Sequence, residues 1–541
     1  MFRKKTALVS TLLIGFFVTM NLFQLDAQSY FHADYDWEEE PSLSELLEEE
    51  AKESAIILKD KRLFEYAYND KGELDAYETV HKIIRVNDDQ AVENFNKVFV
   101  PLGYATEFVE IKARAINSEG KVTALNKDNI KELENVQNIG GLKIFAIEGA
   151  EKGGDVEYFY TTKSPMTNPY GREVFQSLTK IKEASIDIIS PINLEFQAKG
   201  YNGFPELTLL KDEETQARML SGRVSNIEPL IEEDYSSHKA NLMRIDYTIA
   251  YNKGASGMFS PRIYGWASAA DHFSGSFGSF GGAEEKAVAK LVKTLKLKKI
   301  AGEEAKIKTI EAHLKNTISV ERGGGPEFTQ IDKILTNKYA SELGMIRLFI
   351  AVLQTTDIKH EIVMTSNRFD ARFDKELESW NNFSDVILYI PQSKKYISPA
   401  FVQFRYGAAP YQFAGNYALF IADAQNYDVH LINVVKAEDN VNRIEANVNF
   451  DTDFNVDLDM EHGWTGYRAA LFRTVYSFQK MEFIEDRVKS GMQDAKINNL
   501  ILNNETMEDI ADESKEFFID SELEVASLIE KAGKSYLFKI G

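Results

Sequence analysis

No cysteine occurs anywhere in the 541 residues. That absence excludes disulfides, thiolate metal ligands, a thiol nucleophile and a lipid anchor attached through cysteine. Basic residues are outnumbered too. The chain sets 62 Lys and Arg against 84 Asp and Glu, a formal net charge of −22. It therefore lacks the positive footprint that nucleic acid or an anionic lipid surface requires. None of the eight histidines is paired at the His-x-x-x-His spacing of a metal site, so neither metal nor cofactor is expected. After the first 25 residues no apolar run is long enough to cross a bilayer.

What is there begins with Met1-Phe2-Arg3-Lys4-Lys5, an apolar run from Ala7 to Phe23, and Leu25-Asp26-Ala27 before Gln28. Charged, apolar and small residues in that order predict a secretory signal over 1–27 and an exported chain, periplasmic, outer-membrane-associated or extracellular. The same run, about 17 residues, is also at the short limit of a retained anchor. An acidic leader, 28–61, follows, in which Ser42-Leu43-Ser44-Glu45 has capping-box spacing for a short solvated helix.

Over 62–262 the pattern has period two. Val109, Ile111, Ala113 and Ala115 alternate with Glu110, Lys112 and Arg114 before the turn residues Asn117-Ser118-Glu119-Gly120. Similar runs at Thr79–Arg85, Asp155–Thr161 and Arg244–Tyr251 predict an antiparallel β-sandwich. Phe273 to Gly282, rich in Gly and Ser, reads as a flexible loop or linker.

Helical spacing then dominates 263–400. Val288, Leu291, Val292 and Leu295 share one face, as do Ile307, Ile310 and Leu314, and Met345–Leu353 is apolar all round, the mark of a buried helix. Gly323-Gly324-Gly325-Pro326 is an irregular turn without the setting of a phosphate loop. Strand-like segments at Glu361–Ser366, Asp385–Ile390 and Lys395–Ile397 complete an α+β domain. The tail, 401–541, is β-rich. From Ile444 to Met460 apolar and acidic or amide residues alternate, giving one long strand or a pair joined near Asp451–Asp453.

Tyr339–Ile358, YASELGMIRLFIAVLQTTDI, resembles the nucleophile helix of bacterial transglutaminase-like proteins, Tyr-Gly-Asp-Cys followed by Leu-Leu, Ala-Leu-Leu and Gly-Ile. Tyr339, Leu348, Ala351, Leu353 and Ile358 match that pattern, and Ala340, Ser341 and Glu342 stand at the Gly-Asp-Cys positions. Phe383-Ser384-Asp385 resembles the family's Phe-Asn-His strand and Ile397-Ser398-Pro399 its Leu-Asp-Pro strand. The N-terminal β region is similar to the family's domain of unknown function, of the domain-of-unknown-function-3857 type. The tail, with Gly466-Tyr467-Arg468-Ala469-Ala470 and Arg473, is similar to its C-terminal β domain.

The resemblance implies a papain-like α+β core whose cysteine, histidine and aspartate are replaced by Glu342, Asp385 and Ser398. Acyl transfer through a thiol needs a thiolate, an imidazole to take and return its proton, and a group to orient that imidazole. All three roles are lost. Ser341, one residue before the thiol position, is turned away by about 100° of helix. The sequence thus predicts a pseudoenzyme that binds or scaffolds a protein, peptide or glycan in the bacterial cell envelope. The alternatives are a hydrolase or acyltransferase with a rebuilt site that uses Glu342 and Asp385, and a structural subunit of an envelope or polysaccharide-export assembly.

Overall fold

The computed structural model describes residues 31–541 except 103–105, 137–139, 168, 213–216, 255–256, 322, 453–454, 479–484, 487–488, 490–494, 503–515, 526–527 and 539–541. The expected signal, 1–27, lies outside the described residues. The chain is multidomain α+β and divides into two compact units. The first holds residues up to Ala269 together with Phe369–Ala371 and Glu376–Asn381, and the second holds the rest.

In the first unit the period-two segments become strands of an eight-stranded sheet. Its order is Thr208–Asp212, Ala217–Ile227, Lys180–Pro191, Ala55–Tyr68, Leu74–Val86, Gly154–Pro165, Glu107–Ile116 and Val122–Ala124. Ala55–Tyr68 pairs parallel with Lys180–Pro191, and the other pairings of this sheet are antiparallel. Two three-stranded sheets, Leu194–Tyr201 with Arg244–Asn252 and Tyr170–Val174, and Lys97–Leu102 with Gly140–Ala146 and Lys131–Val136, pack on one face. Phe64, Ile84 and Val156 meet Val98, Phe145, Phe196 and Ile245 in the shared core. The turn at Asn117–Gly120 forms as expected: the Asn117 side chain accepts the Lys121 N–H at 2.7 Å, and Gly120 takes a φ of +81°, where glycine carries no Cβ penalty.

Two expectations for this region fail. The capping-box residues form no helix, and among the described residues only a 3₁₀ turn at Glu50–Lys52 precedes the first strand, which starts at Ala55 and not near 62. The leader is instead laid along the sheet, because its aromatic side chains find partners there. The supposed linker is also structured. Trp266–Gly278 is a helix, and Gly281 caps the next one, Gly282–Thr294. Phe273 stacks on Phe277 one turn later, centroids 5.5 Å apart, and Phe277 is buried, so packing outweighs the glycine cost.

The second unit carries helices Gly282–Thr294, Glu303–Thr317, Ile331–Asn337 and Glu342–Thr355 with a five-stranded sheet. The sheet order is Lys395–Ile397, Asp385–Ile390, Glu361–Thr365, Tyr417–Ile421 and Tyr427–Leu431, so this layer continues past residue 400. Helix Glu342–Thr355 is buried from Met345 to Leu353 apart from the partly exposed Arg347. Beyond it, Asn442–Phe450 and Val456–Trp464 form a hairpin, not one strand, in a four-stranded sheet with Phe517–Val525 and Ala495–Leu502. Helix Gly466–Phe478 covers this sheet, with Ala469 and Phe472 against Trp464 and Phe517.

Candidate functional site

The residue at the thiol position of the resemblance, Glu342, is the first residue of helix Glu342–Thr355, and its side chain is exposed. Ser341 is the N-cap. Its Oγ accepts the Gly344 N–H at 3.0 Å, and its hydroxyl lies 3.3 Å from the Phe328 carbonyl, to which the Ser341 N–H also donates at 2.9 Å. A capping serine satisfies donors that a helix start leaves open, and a hydroxyl so engaged is not poised as a nucleophile. Gly344 permits this approach. A Cβ there would stand 2.1 Å from the Phe328 carbonyl oxygen.

Asp385, at the histidine position, opens strand Asp385–Ile390 and pairs with Thr365. Its Oδ2 takes the Ser384 hydroxyl at 2.5 Å. Ser398, at the aspartate position, lies one residue past strand Lys395–Ile397, whose Ile397 pairs with Leu388. Strands Asp385–Ile390 and Lys395–Ile397 are antiparallel neighbours, so the start of one, Asp385, and the residue just past the end of the other, Ser398, lie toward the same end of the pair. Asp385 and Ser398 thus belong to adjacent strand ends, whereas Glu342 is presented by the helix. Ser398 is 1% exposed, and its hydroxyl has no hydrogen-bond partner among the described residues.

A buried ion pair holds the segment after Ser398. Lys315 Nζ lies 2.8 Å from Glu311 Oε1 and donates to the Phe401 carbonyl at 3.2 Å and to the Phe404 carbonyl, while Glu311 Oε2 accepts the Tyr406 N–H at 2.7 Å. On the sheet face that carries Asp385, Val363, Ile387, Tyr396 and Phe420 pack with Ala409, Phe413 and Ile432. The third position is thus enclosed.

Arg347, on the same helix as Glu342, is engaged with Glu284 and two backbone carbonyls. It donates to Glu284 at 3.3 Å, to the Thr329 carbonyl at 2.7 Å and to the Ser279 carbonyl at 3.0 Å. Burial alone would raise the Glu284 pKa, but N–H bonds from Gly281 and Ile331, with Arg347 beside it, hold it below the usual range. The sequence signal for this clamp was the Gly281-Gly282-Ala283-Glu284 start of a helix, an acid at N3 able to reach back to the cap. Lys338 ends helix Ile331–Asn337 in the left-handed conformation, φ +66°.

With these positions occupied by Glu, Asp and Ser, no thiolate–imidazole pair can form, and the residues offer carboxylates and a hydroxyl only.

Residues 75–231 match the family model of a Domain of Unknown Function with solved-structure structure, DUF3857. The match runs through the eight-stranded sheet of the first unit, in agreement with the N-terminal resemblance. A crystal structure from Parabacteroides distasonis ATCC 8503, described as a "putative protease", is similar over 87% of this chain and 93% of its own, with a TM-score of 0.51 and 11% identity. At that identity the likeness shows the fold. An M1 zinc metallopeptidase from Deinococcus radiodurans aligns over 36% of this chain and 42% of its own at 5% identity, TM-score 0.22. Yeast LTA4 hydrolase aligns over 37% and 29% at 10% identity, TM-score 0.23. Both similarities are too low to bear on function. No curated protein matches the chain. Among the described residues no helix is long and apolar enough to cross a membrane.

Proposed function

We propose that this chain is an exported, non-catalytic transglutaminase-like protein that serves as a binding or scaffolding module of the bacterial cell envelope. One observation carries the reading: the helix start that would bear a nucleophilic thiol begins with Glu342, and its neighbour Ser341 spends its hydroxyl on the cap. A carboxylate attacking an acyl carbon gives a labile anhydride, and Asp385 adds a second anion where a proton shuttle is needed. The overall fold shared with a protein described as a protease does not supply the chemistry, which resides in side chains and not in folds.

The test is direct. The purified mature chain is expected neither to exchange a glutamine-peptide amide for an amine nor to hydrolyse peptides. Turnover by the wild type that disappears in Glu342→Ala would falsify the proposal. Export is checked separately by cell fractionation and N-terminal sequencing, with a mature start at Gln28 expected and a full-length cytoplasmic chain counting against it.

A further inference from the structure

The acidic leader is the least expected part of the molecule. From Phe31 to Glu49 it forms neither strand nor helix, yet it lies along the outer face of the eight-stranded sheet, opposite the sandwich core. It is held by side chains. Phe31 packs against Leu63, Ile189 and Ala217. The Phe31 and His32 N–H groups donate to Glu65 at 3.0 and 2.8 Å, and the His32 ring reaches the same carboxylate at 2.7 Å while stacking on Tyr77 with centroids 3.9 Å apart. Glu65 is 1% exposed, so a fully buried carboxylate on the sheet receives three bonds from the leader.

Further along, the Tyr35 hydroxyl is 2.6 Å from His81 Nδ1, whose Nε2 is 2.9 Å from Glu157. An ionised Glu157 only accepts, so His81 carries its proton on Nε2 and receives the Tyr35 hydroxyl at Nδ1. The Arg114 guanidinium, donating to Glu157 at 2.5 Å, lies 4.0 Å from the Trp37 ring centroid. Ser44 then inserts its backbone between Arg85 and Asp155, its carbonyl taking Arg85 Nη2 at 2.6 Å and its N–H donating to Asp155 at 3.1 Å. Lys112 meets Asp36 at 2.8 Å and Lys182 meets Glu50 at 3.0 Å.

These contacts have the makings of a recognition surface: aromatic anchors at i, i+4 and i+6, backbone read by buried charged side chains, and cations at the rim facing a segment that holds nine acidic residues and no Lys or Arg between Phe31 and Glu50. A solvent-facing sheet needs none of this. We propose that the outer face of the eight-stranded sheet is a recognition groove for an extended acidic peptide with aromatic anchors, and that residues Phe31–Glu50 plug it in cis. The leader's own spacing of Phe31, Tyr35 and Trp37 defines the partner that can displace it. The inference is independent of the chemistry at Glu342.

The experiment inserts a site-specific protease sequence between Lys52 and Glu53, both exposed, in the otherwise complete chain. After cleavage, a fluorescein-labelled peptide of residues 30–52 is expected to exchange into the cut protein at one per chain, while the uncut protein, whose tethered leader competes at high effective concentration, takes up at least about tenfold less at the same peptide concentration. The same peptide with Y35A and W37A is expected to bind at least about tenfold more weakly, as loss of aromatic anchors does. Failure to exchange, unfolding on cleavage, or uptake indifferent to the alanine changes would each overturn the proposal. Hydrogen exchange on the uncut wild type gives an independent reading. Amides of residues 33–46 should exchange at least about tenfold faster than those of strand Leu74–Val86, because a plug opens without the sheet. Equal protection would make the leader an integral part of the fold and also sink the idea.

Discussion

The Ser341 hydroxyl accepts the Gly344 N–H at 3.0 Å and so fixes the start of the helix whose first residue is Glu342. Replacing the cap should therefore be felt as stability and not as activity. Ser341→Ala is expected to lower stability by about 1 kcal/mol, and Ser341→Asp to retain most of it, since an aspartate also caps. Thermal unfolding followed by calorimetry checks the pair. Equal losses in both variants would remove the capping role.

The same turn sets a steric limit. The Cβ that Gly344→Ala introduces would meet the Phe328 carbonyl oxygen at 2.1 Å and Ile334 Cδ1 at 2.8 Å. One contact is with backbone, which cannot rotate aside. Overpacking of this kind costs roughly 1–3 kcal/mol, so Gly344→Ala should destabilise more than the usual helix gain of a Gly-to-Ala change can offset. A rise in melting temperature would show that the helix and the Pro326–Phe328 turn separate easily.

Inside the sandwich of the first unit, Glu78 titrates far from the ordinary carboxylate range. Burial pushes its pKa up to about 7, with the Glu173 carboxylate adding to the shift and Arg62 opposing it. The folded chain therefore binds a proton more tightly than the unfolded chain, whose Glu titrates near the usual 4.5. The stabilisation is complete below that value and is lost as pH rises toward 7. Denaturant unfolding at pH 5 and pH 8 should differ by roughly 2 kcal/mol from this residue, and Glu78→Gln should flatten the difference. A steeper fall in the variant would contradict the assignment.

The β framework was legible because alternation along a strand reports directly which face is buried. Val109 to Ala115 and Arg244 to Tyr251 became strands, and Met345–Leu353, apolar all round, became the buried helix. What alternation cannot report is pairing across distance. Nothing local announced that Ala55–Tyr68 runs parallel beside Lys180–Pro191. Composition misled in two places for one reason. Phe273–Gly282 looked loose and Asp34–Glu50 looked solvated, yet in each a few aromatic side chains decide the conformation through contacts made elsewhere in the fold, Phe273 against Phe383 in one, Tyr35 and Trp37 against Phe159 and Arg114 in the other. At the candidate site the sequence identified the residue types. The placing of Asp385 and Ser398 at the ends of adjacent strands, and the pairing of Arg347 with Glu284, depend on register and packing.

Lys315 and Glu311 form a pair that is almost wholly enclosed, with side chains 0% and 3% exposed. Removing one charge leaves the other without compensation in a low-dielectric interior, at a cost of about 3–5 kcal/mol. Lys315→Ala is thus expected to destabilise the second unit severely and to loosen the Phe401–Tyr406 segment that follows Ser398. Lys315→Met with Glu311→Leu, which removes both charges, should recover part of the loss, although the Tyr406 N–H then lacks its acceptor. If Lys315→Ala melts within a degree or two of the wild type, the pair is hydrated and contributes little.

Exposure and backbone conformation also decide where a protease can enter. Cleavage requires several residues of backbone to be extended into the enzyme, which favours exposed loops over helices whatever their glycine content. The stretch from Phe273 to Gly278 is helical and anchored by Phe277, so it should resist early attack despite its Gly and Ser residues. Between strand Ala217–Ile227 and the short helix His238–Asn241, by contrast, residues Ile231 to Ser236 are all exposed, and Tyr235, with φ +65°, stands clear of the surface at 107% relative exposure. Brief chymotrypsin digestion should cut after Tyr235 first, giving fragments that mass spectrometry assigns unambiguously. Tyr235→Ser should delay the first cleavage without moving it into the helix. First cuts after Phe273 or Phe277 would show that this helix opens more readily than its packing implies.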